Sequence, residues 1–241
     1  MEKNETNEET KEKANEESNN NNNDNSPVIL ELDEFADCDL VFKIIVIGNC
    51  GVGKTCITNQ AVKHKFSQIY QSTIGVEYFT LFIKYKTKII KFQIWDTCGQ
   101  EIYRSLISSF YKNSSMAIIV YAIDDEESFK DIDYWMKEIK TMSSPDIKVM
   151  LIGNKIDLDE KRKIKFEKGE KLAKFYGINQ FFETSAKTGE NIQKMFMQAG
   201  MLLYDDYLQY SQIQEYLEKD QNNNNIVLSK KKKNSLKKCC S

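Results

Sequence analysis

The stretch Gly48-Asn49-Cys50-Gly51-Val52-Gly53-Lys54-Thr55 decides how this chain folds. It follows an apolar run, residues 41–47, that predicts a strand buried on both faces. It precedes residues 56–64, which lack Pro and Gly and predict a helix. A strand, a glycine-rich loop and a helix in this order predict a phosphate-binding loop, because glycines let successive backbone N–H groups turn toward one anion. The alternative is a glycine-rich turn that binds nothing, against which both flanks and the Lys-Thr pair argue.

Two side chains of this loop have predicted chemical roles. Lys54 would bring a full positive charge to the terminal phosphates, and the Thr55 hydroxyl would be one ligand of Mg²⁺. The loop therefore predicts a nucleoside triphosphate, but it fits ATPases, kinases and GTPases equally well.

The rest of the chain alternates strands with helices. Strands are predicted at 76–85, 89–95, 116–121, 148–152 and 181–183, and helices at 126–142, 166–176 and 191 to about 207. The short link after residue 85 makes the first two of these strands an antiparallel hairpin. The pattern predicts an α/β fold, a mostly parallel six-stranded sheet with helices on both faces, and a site formed by loops at the carboxyl ends of the strands.

Two further residues are predicted to face the terminal phosphate. Asp96 closes the strand at 89–95, where its carboxylate can face Mg²⁺ directly or through a water. Gly99 can offer its backbone N–H to the phosphate because no side chain stands in the way.

The motif Asn154-Lys155-Ile156-Asp157 indicates which base is bound. An ionised Asp157 only accepts hydrogen bonds, and guanine presents a ring N–H and an exocyclic amine that it can take in parallel, whereas adenine does not. Charge-assisted bonds contribute about 1.5–3 kcal/mol each, so strong discrimination is expected. Asn154 would bind the base and tie the loops together, and the aliphatic stem of Lys155 would cover the ring.

In order along residues 39–207, the motifs GNCGVGKT, Thr73, DTCGQ, NKID and ETSAK resemble those of the Ras-like small GTPases. The resemblance implies that Phe66 packs against the guanine edge and that Gln100 orients the water attacking the γ-phosphate. It implies Mg²⁺ ligation by Thr55, Thr73 and Asp96. The GTP- or GDP-binding residues it implies are Cys50, Gly51, Val52, Gly53, Lys54, Thr55, Cys56, Phe66, Tyr70, Thr73, Gly99, Asn154, Lys155, Asp157, Ser185, Ala186 and Lys187.

Two positions depart from the family pattern. Cys50 stands where Ras proteins need glycine for efficient hydrolysis, and no arginine is obviously placed to act in cis, so slow turnover and a GTPase-activating partner are expected. Cys98 replaces the usual alanine of the second switch and is small enough to fit there.

Within the superfamily, the wording of residues 70–78, 95–101 and 103–111 resembles that of Rab proteins. By that resemblance Tyr78, Trp95 and Phe110 form the effector-binding aromatic trio, although ordinary packing would also explain each of them. The implied partners of the monomeric G domain are an exchange factor, a GTPase-activating protein, a prenylation escort, a GDP-dissociation inhibitor and effectors, with no nucleic acid.

Charge and composition set the predicted domain limits. Residues 1–37 contain twelve acidic residues and three lysines and are predicted to be a disordered Asn/Glu-rich extension. Residues 38–208 form the G domain, and 209–241 form a variable polybasic tail in which an Asn run at 222–225 is a flexible spacer. No signal peptide or membrane span is expected, and six cysteines without metal spacing predict a reducing environment.

The chain ends in Cys239-Cys240-Ser241, which resembles the Rab signal for two geranylgeranyl groups. Two lipids give stable anchoring where one is marginal, and six preceding lysines favour an anionic leaflet. A redox pair or a solvated charged end is the alternative. The expected location is the cytoplasmic face of vesicle or organelle membranes, with a cytosolic pool.

The predicted function is therefore a Rab-type switch in intracellular vesicle trafficking. Three alternatives stay open at this point: a GTP-loaded scaffold with little hydrolysis, a Ras-like signalling GTPase outside the Rab family, and a nucleotide kinase or ATPase on the same loop.

Overall fold

The computed structural model describes residues 26–67, 73–99 and 109–236. The strands in these residues are β1 (Val28–Leu30), β2 (Leu40–Ile47), β3 (Val76–Tyr85), β4 (Lys88–Thr97), β5 (Met116–Ala122), β6 (Lys148–Asn154) and β7 (Gln180–Thr184). They form one seven-stranded sheet in the order β1-β3-β4-β2-β5-β6-β7. Strands β2, β4, β5, β6 and β7 are mutually parallel, while β3 is antiparallel to both β1 and β4.

The helices in the same residues are α1 (Lys54–Lys63), α2 (Glu126–Lys130), α3 (Ile132–Met142), α4 (Phe166–Phe175), α5 (Ile192–Leu236) and a 3₁₀ turn over Ile156–Lys161. The segment predicted as one helix at 126–142 is two, joined at Asp131, whose ψ of −3° departs from helical geometry. The side chain of Asp125 caps α2 by accepting a hydrogen bond from the Glu127 backbone N–H at 3.0 Å.

The α/β class and the mostly parallel sheet are confirmed, but the prediction of six strands was one too few. The additional strand, β1, lies inside the segment predicted to be disordered and pairs Ile29 with Ile83 on the edge of β3. Three residues are too short for an alternating pattern to stand out beside so many acidic neighbours. Pairing with β3 supplies the backbone partners that stabilise so short a strand.

The core lies on both faces of the sheet. Along β2, Ile44 and Val46 pack toward α1 and α5, whereas Ile45 and Ile47 pack toward α3 and α4, and all four are fully buried. This alternation follows from the two-residue period of a strand, and it explains why β2 reads as a continuous apolar run.

The last helix is longer than predicted. It was expected to end near Tyr207, and the Asn run at 222–225 was expected to be a spacer, but α5 continues through this run to Leu236. Residues 208–236 contain neither Gly nor Pro, so no residue forces the helix to stop. Where α5 passes the far end of the β3–β4 hairpin, the ring centroids of Tyr204 and Tyr85 lie 5.4 Å apart. The Lys86 ammonium lies 4.9 Å from the Tyr85 ring and 5.2 Å from the Tyr204 ring. No helix in the described part of the chain combines the length and apolar character needed to cross a bilayer.

A nearly buried ion pair joins the segment that follows β6 to strand β7. Arg162 donates two hydrogen bonds to the Glu183 carboxylate, at 2.7 and 2.9 Å, and a third from Nε to Asp159 at 2.6 Å. The Glu183 side chain is 11% exposed and that of Asp159 is 76% exposed. The Glu183 carboxylate raises the pKa of Arg162, as expected for a guanidinium held in a bidentate pair.

We expect Glu183→Gln to lower the free energy of unfolding by about 2 kcal/mol, because it leaves Arg162 without its nearly buried charged partner. Asp159→Asn is the matched control, since it removes an exposed acid from the same guanidinium and should cost less than about 0.5 kcal/mol. Urea denaturation at pH 7 measures both, and equal effects would contradict the assignment of Glu183 as the dominant partner.

Candidate functional site

The loops at the carboxyl ends of the parallel strands surround one large cavity of about 980 Å³. Because β2, β4, β5, β6 and β7 run in the same direction, the residues that follow them meet at one edge of the sheet. The predicted site residues that line the cavity are Cys50, Gly51, Gly53, Lys54, Thr55, Cys56, Phe66, Thr73, Gly99, Asn154, Lys155, Asp157, Ala186 and Lys187. Tyr70, Gln100, Cys239 and Cys240 lie outside the described residues.

Glycine is required at two places in this cavity wall. Gly53 has a left-handed φ of +97°, and a Cβ atom on it would lie 2.4 Å from Nδ2 of Asn154. A Cβ on Gly99 would lie 2.3 Å from the backbone N of Cys50. The first glycine therefore lets the loop before α1 pack on Asn154 at the end of β6, and the second lets the segment after β4 pack on the backbone of that same loop.

Lys54 is buried at the base of the cavity. Its ammonium donates to the carbonyl oxygens of Gly48 and Asn49, at 2.8 Å each, which uses two of its three N–H donors. Burial lowers the pKa of Lys54, and the nearby Asp96 charge partly opposes that shift. A bound phosphate would take the third donor and stabilise the charged ammonium.

Three oxygen-bearing side chains meet beside Lys54. The hydroxyls of Thr55 and Thr73 lie 2.8 Å apart, and the Thr55 hydroxyl also donates to Oδ2 of Asp96. The other carboxylate oxygen of Asp96, Oδ1, is buried and has no hydrogen-bond partner among the described residues. Burial raises the pKa of Asp96 to about 7.

These three side chains fit a magnesium site. Mg²⁺ prefers oxygen ligands and usually takes only one or two carboxylates, completing its shell with waters and substrate phosphates. Within residues 26–67, 73–99 and 109–236, no group of three or more His, Cys, Asp or Glu side chains could hold a metal. An ion here would therefore depend on the hydroxyls, on Asp96 and on the bound nucleotide.

Asn154 joins the separate segments of the cavity wall. Its Nδ2 donates to the carbonyl of Val52 at 2.9 Å, while its Oδ1 accepts from the Thr184 hydroxyl and the Ala186 N–H, both at 3.2 Å. Asn154 is 1% exposed, so water could not replace these hydrogen bonds if the side chain were removed. Asn154 thus ties together the loop that contains Val52 and the segment after β7, as expected from the sequence, and the Ala186 N–H is directed at this amide.

The carboxylate of Asp157 is positioned by the segment after β7. Oδ1 accepts a hydrogen bond from the Ser185 hydroxyl at 2.6 Å, and the Lys187 ammonium lies 4.0 Å from Oδ2. Ser185 itself is fully buried and acts from behind Asp157 instead of lining the cavity. Its hydroxyl also accepts from the Thr188 N–H, which fixes its orientation.

Sequence reasoning missed Asp124, whose carboxylate lies beside the Lys155 ammonium in the cavity wall. The Lys155 ammonium lies 3.7 Å from Oδ1 of Asp124, and Lys155 has a left-handed φ of +72°. Asp124 follows β5 by two residues, so the rule that strand ends supply the site would have identified it. Asn49, whose side chain contacts α3, occupies a variable position of the phosphate-loop motif and gave no such signal.

The three aromatic residues predicted to bind effectors form one cluster. Ring centroids are 5.2 Å apart for Tyr78 and Trp95 and 4.9 Å apart for Trp95 and Phe110. Tyr78 is 43% exposed, and the Lys43 ammonium lies 5.5 Å from the Trp95 ring. The packing alternative and the partner-binding alternative are thus compatible, because the cluster is held from within and still presents an exposed ring.

The two unusual cysteines occupy different environments. Cys50 is exposed and lines the cavity. Cys98 is 2% exposed and packs in the core cluster that contains Ile45 and Tyr111, so the larger side chain is accommodated at this position.

Comparison with known proteins places these features in a family context. Residues 43–204 match the model of the Ras family. The chain is similar to Ras-related protein Rab-13 of Bos taurus, with 42% identity over 158 residues, covering 66% of this chain and 77% of the relative. It is also similar to Rab-8B of Pongo abelii, 41% identical with coverages of 66% and 76%. Similarity to Rab-10 of Diplobatis ommata extends over 203 residues at 37% identity, covering 84% and 97%.

We expect Asp96 to destabilise the ligand-free protein increasingly as pH rises from about 4 to about 8, measured by chemical denaturation in EDTA as the difference between the native chain and Asp96→Asn. The pKa of Asp96 is about 7 in the folded state against an ordinary value of 3.8, so the folded state keeps this proton while the unfolded state loses it. This destabilisation by Asp96 is absent below both pKa values and reaches its full size above pH 7. Asp96→Asn should remove roughly 2–4 kcal/mol of this destabilisation. Parallel pH profiles for the two proteins would contradict the assignment.

Proposed function

Because the chain belongs to the Ras family and is a Rab-type small GTPase, we propose that it binds GTP and GDP together with Mg²⁺, hydrolyses GTP slowly and acts as a membrane-anchored switch in vesicle trafficking. One observation carries the nucleotide part of this proposal. The buried Asn154 amide brings the loop that contains Lys54 and the segment that orients Asp157 to the wall of the same cavity.

Guanine selectivity would rest on Asp157. The Ser185 hydroxyl holds one carboxylate oxygen, and a carboxylate oxygen has further lone pairs for donors on the base. Adenine would present no such pair of donors and would leave the carboxylate unpaired inside the cavity. The Lys155 stem, held by Asp124, is suited to cover one face of the ring.

Hydrolysis would proceed by in-line attack of water on the γ-phosphorus, with catalysis by positioning and charge neutralisation. Lys54 would neutralise phosphate oxygens, and Gln100, by family resemblance, would orient the water. Mg²⁺, held by Thr55, Thr73 and Asp96, would supply additional positive charge at the phosphates. The chain has two arginines. Of these, Arg162 is engaged with Glu183 and Asp159, and Arg104 lies outside the described residues. The engagement of Arg162 supports a slow intrinsic rate.

The switch would act through few contacts. The second-switch residue Cys98 donates its backbone N–H to the Gly75 carbonyl at 2.9 Å, and Thr73 approaches the phosphate loop through the Thr55 hydroxyl. Loss of the γ-phosphate would remove the ligand that both segments share, so effectors would distinguish an ordered from a released arrangement. The neighbouring Tyr78, Trp95 and Phe110 cluster would be their contact surface.

Two alternatives make different predictions about the nucleotide. A GTP-loaded scaffold would retain GTP without cleaving it, and Cys50 in the cavity wall is the feature that favours this alternative. A nucleotide kinase or ATPase would bind ATP as well as GTP, which the position of Asp157 disfavours.

We expect purified protein to cleave bound GTP in a single-turnover assay, and Gln100→Leu to slow cleavage by about 10²-fold, because the attacking water would lose its orienting group. Phosphate release measures the rate, with and without candidate GTPase-activating proteins. GTP affinity should be unchanged, so a loss of binding instead of rate would contradict the role of Gln100.

A competition experiment tests whether the cavity selects guanine over adenine nucleotides. ATP in 100-fold excess should not displace labelled GDP from the native chain, whereas Asp157→Ala should weaken GDP binding by at least about 10²-fold. Equal competition by ATP and GTP would support the ATPase alternative, and bound GTP that survives every activating protein would support the scaffold.

We expect the native chain, expressed in a eukaryotic cell, to sediment with membranes and the Cys239→Ser, Cys240→Ser double variant to remain soluble. Two prenyl chains give stable anchoring, while the lysine-rich tail alone is held only by a salt-sensitive attraction. Cys38→Ser is the matched control, since it removes a thiol from the N-terminal side of the domain. Membrane retention by the double variant in high salt would contradict lipid anchoring.

A further inference from the structure

The side chain of Asn49 joins the phosphate loop to the helix pair α2–α3. Its Nδ2 donates to Oδ2 of Asp131 at 2.7 Å, and its Oδ1 accepts from the indole N–H of Trp135 at 2.9 Å. One end of the amide therefore meets an acceptor and the other a donor, so the two contacts fix the orientation of the amide. They span 82 and 86 residues of chain, and they connect the loop between β2 and α1 to Trp135, which is buried in the core.

The backbone of Asn49 is engaged at the same time. Its carbonyl oxygen accepts one of the two hydrogen bonds from the Lys54 ammonium. Gly99 approaches so closely that a Cβ atom there would lie 2.4 Å from the Asn49 carbonyl carbon. A movement of Asn49 would therefore displace an acceptor of Lys54 and the surface against which the second switch begins.

Asp131 is arranged for this contact in preference to the local one. It stands at the N-cap of α3, where an aspartate side chain normally accepts from a backbone N–H of the first helical turn. Its carboxylate makes no such capping bond. The backbone carbonyl of Asp131 accepts a hydrogen bond from the backbone N–H of Trp135 at 3.1 Å, so the first turn of α3 holds the two partners of Asn49 together.

We propose that Asn49 is a positioning residue that fixes the phosphate loop on α3 through Asp131 and Trp135, and that this connection slows nucleotide release. The inference rests on the proposed function, since it assigns Asn49 a part in retaining the nucleotide. It does not assign Asn49 a contact with the nucleotide.

Exchanging the amide and the carboxylate tests the connection. Asn49→Asp places a second carboxylate against Asp131 and should accelerate release of a fluorescent GDP from the full chain by about tenfold. Asp131→Asn keeps a neutral hydrogen bond and should change the rate by no more than about threefold. The double variant restores an amide–carboxylate pair of reversed polarity, in which Trp135 can still donate, and should release GDP within about threefold of the native rate.

Asp133→Asn is the matched control for the charge. Asp133 is exposed on the same helix and accepts from the Tyr176 hydroxyl at 2.5 Å, without a contact to Asn49. Added to Asn49→Asp, it should leave release about tenfold fast. Rescue by Asp133→Asn as well would show that only net charge near the phosphates matters, and failure of Asp131→Asn to rescue would show that the pair is not coupled. Either result overturns the inference.

A spectroscopic readout separates this inference from the proposed function. In ¹⁵N-labelled protein, the indole N–H resonance of Trp135, identified by its loss in Trp135→Phe, should move in Asn49→Ala and stay near its native position in the exchanged double variant. An unmoved resonance in Asn49→Ala overturns the connection even if GDP binds tightly. Failure of the native chain to bind any guanine nucleotide, with the resonance behaving as expected, overturns the proposed function and the role in release, while the connection itself stands.

Discussion

The buried amide of Asn154 is the interaction on which the cavity depends. A parallel sheet brings strand ends to one edge, but it does not fix the distances between the loops that follow them. Asn154 fixes these distances with one donor group and one acceptor oxygen, binding the carbonyl of Val52 on one side and the Thr184 hydroxyl and Ala186 N–H on the other. Gly53 must then lack a side chain, because the amide occupies that space. A single side chain thus links the loop that contains Lys54 to the segment after β7.

Two ionisable groups at the cavity, Lys54 and Asp96, are buried where a charged ligand would stabilise their charged forms. Burial disfavours both the charged ammonium of Lys54 and the charged carboxylate of Asp96. It therefore lowers the pKa of Lys54 and raises the pKa of Asp96. A phosphate beside Lys54 and a cation beside Asp96 would reverse both shifts. Binding and folding are therefore linked in this region, and a nucleotide–metal complex would stabilise the domain beyond the contacts it makes.

The sequence predicted the residues whose chemistry restricts their type. Lys54, Thr55, Asp96 and Asp157 each belong to a short motif that requires an ammonium, a hydroxyl or a carboxylate at that position, and the alternation of strands and helices located these motifs at one edge of the sheet. It could not predict contacts between side chains far apart in the chain, such as Asn49 with Asp131, because no periodicity records them. The three residues of β1 and the continuation of α5 were missed for a different reason, since a short strand and a long polar helix both give weak patterns.

Strand β1 has a practical consequence for labelling the protein. One end of β3 lies beside the cavity, where Val76 pairs with the cavity-lining Thr97. Val28 of β1 pairs with Lys84 near the opposite end of β3, away from the cavity. Helix α5 passes the same far end, where Tyr204 packs on Tyr85. A fluorescent domain fused ahead of β1 would therefore leave from the side opposite the cavity, and nucleotide exchange could be followed in the tagged chain while the carboxyl terminus remains unblocked.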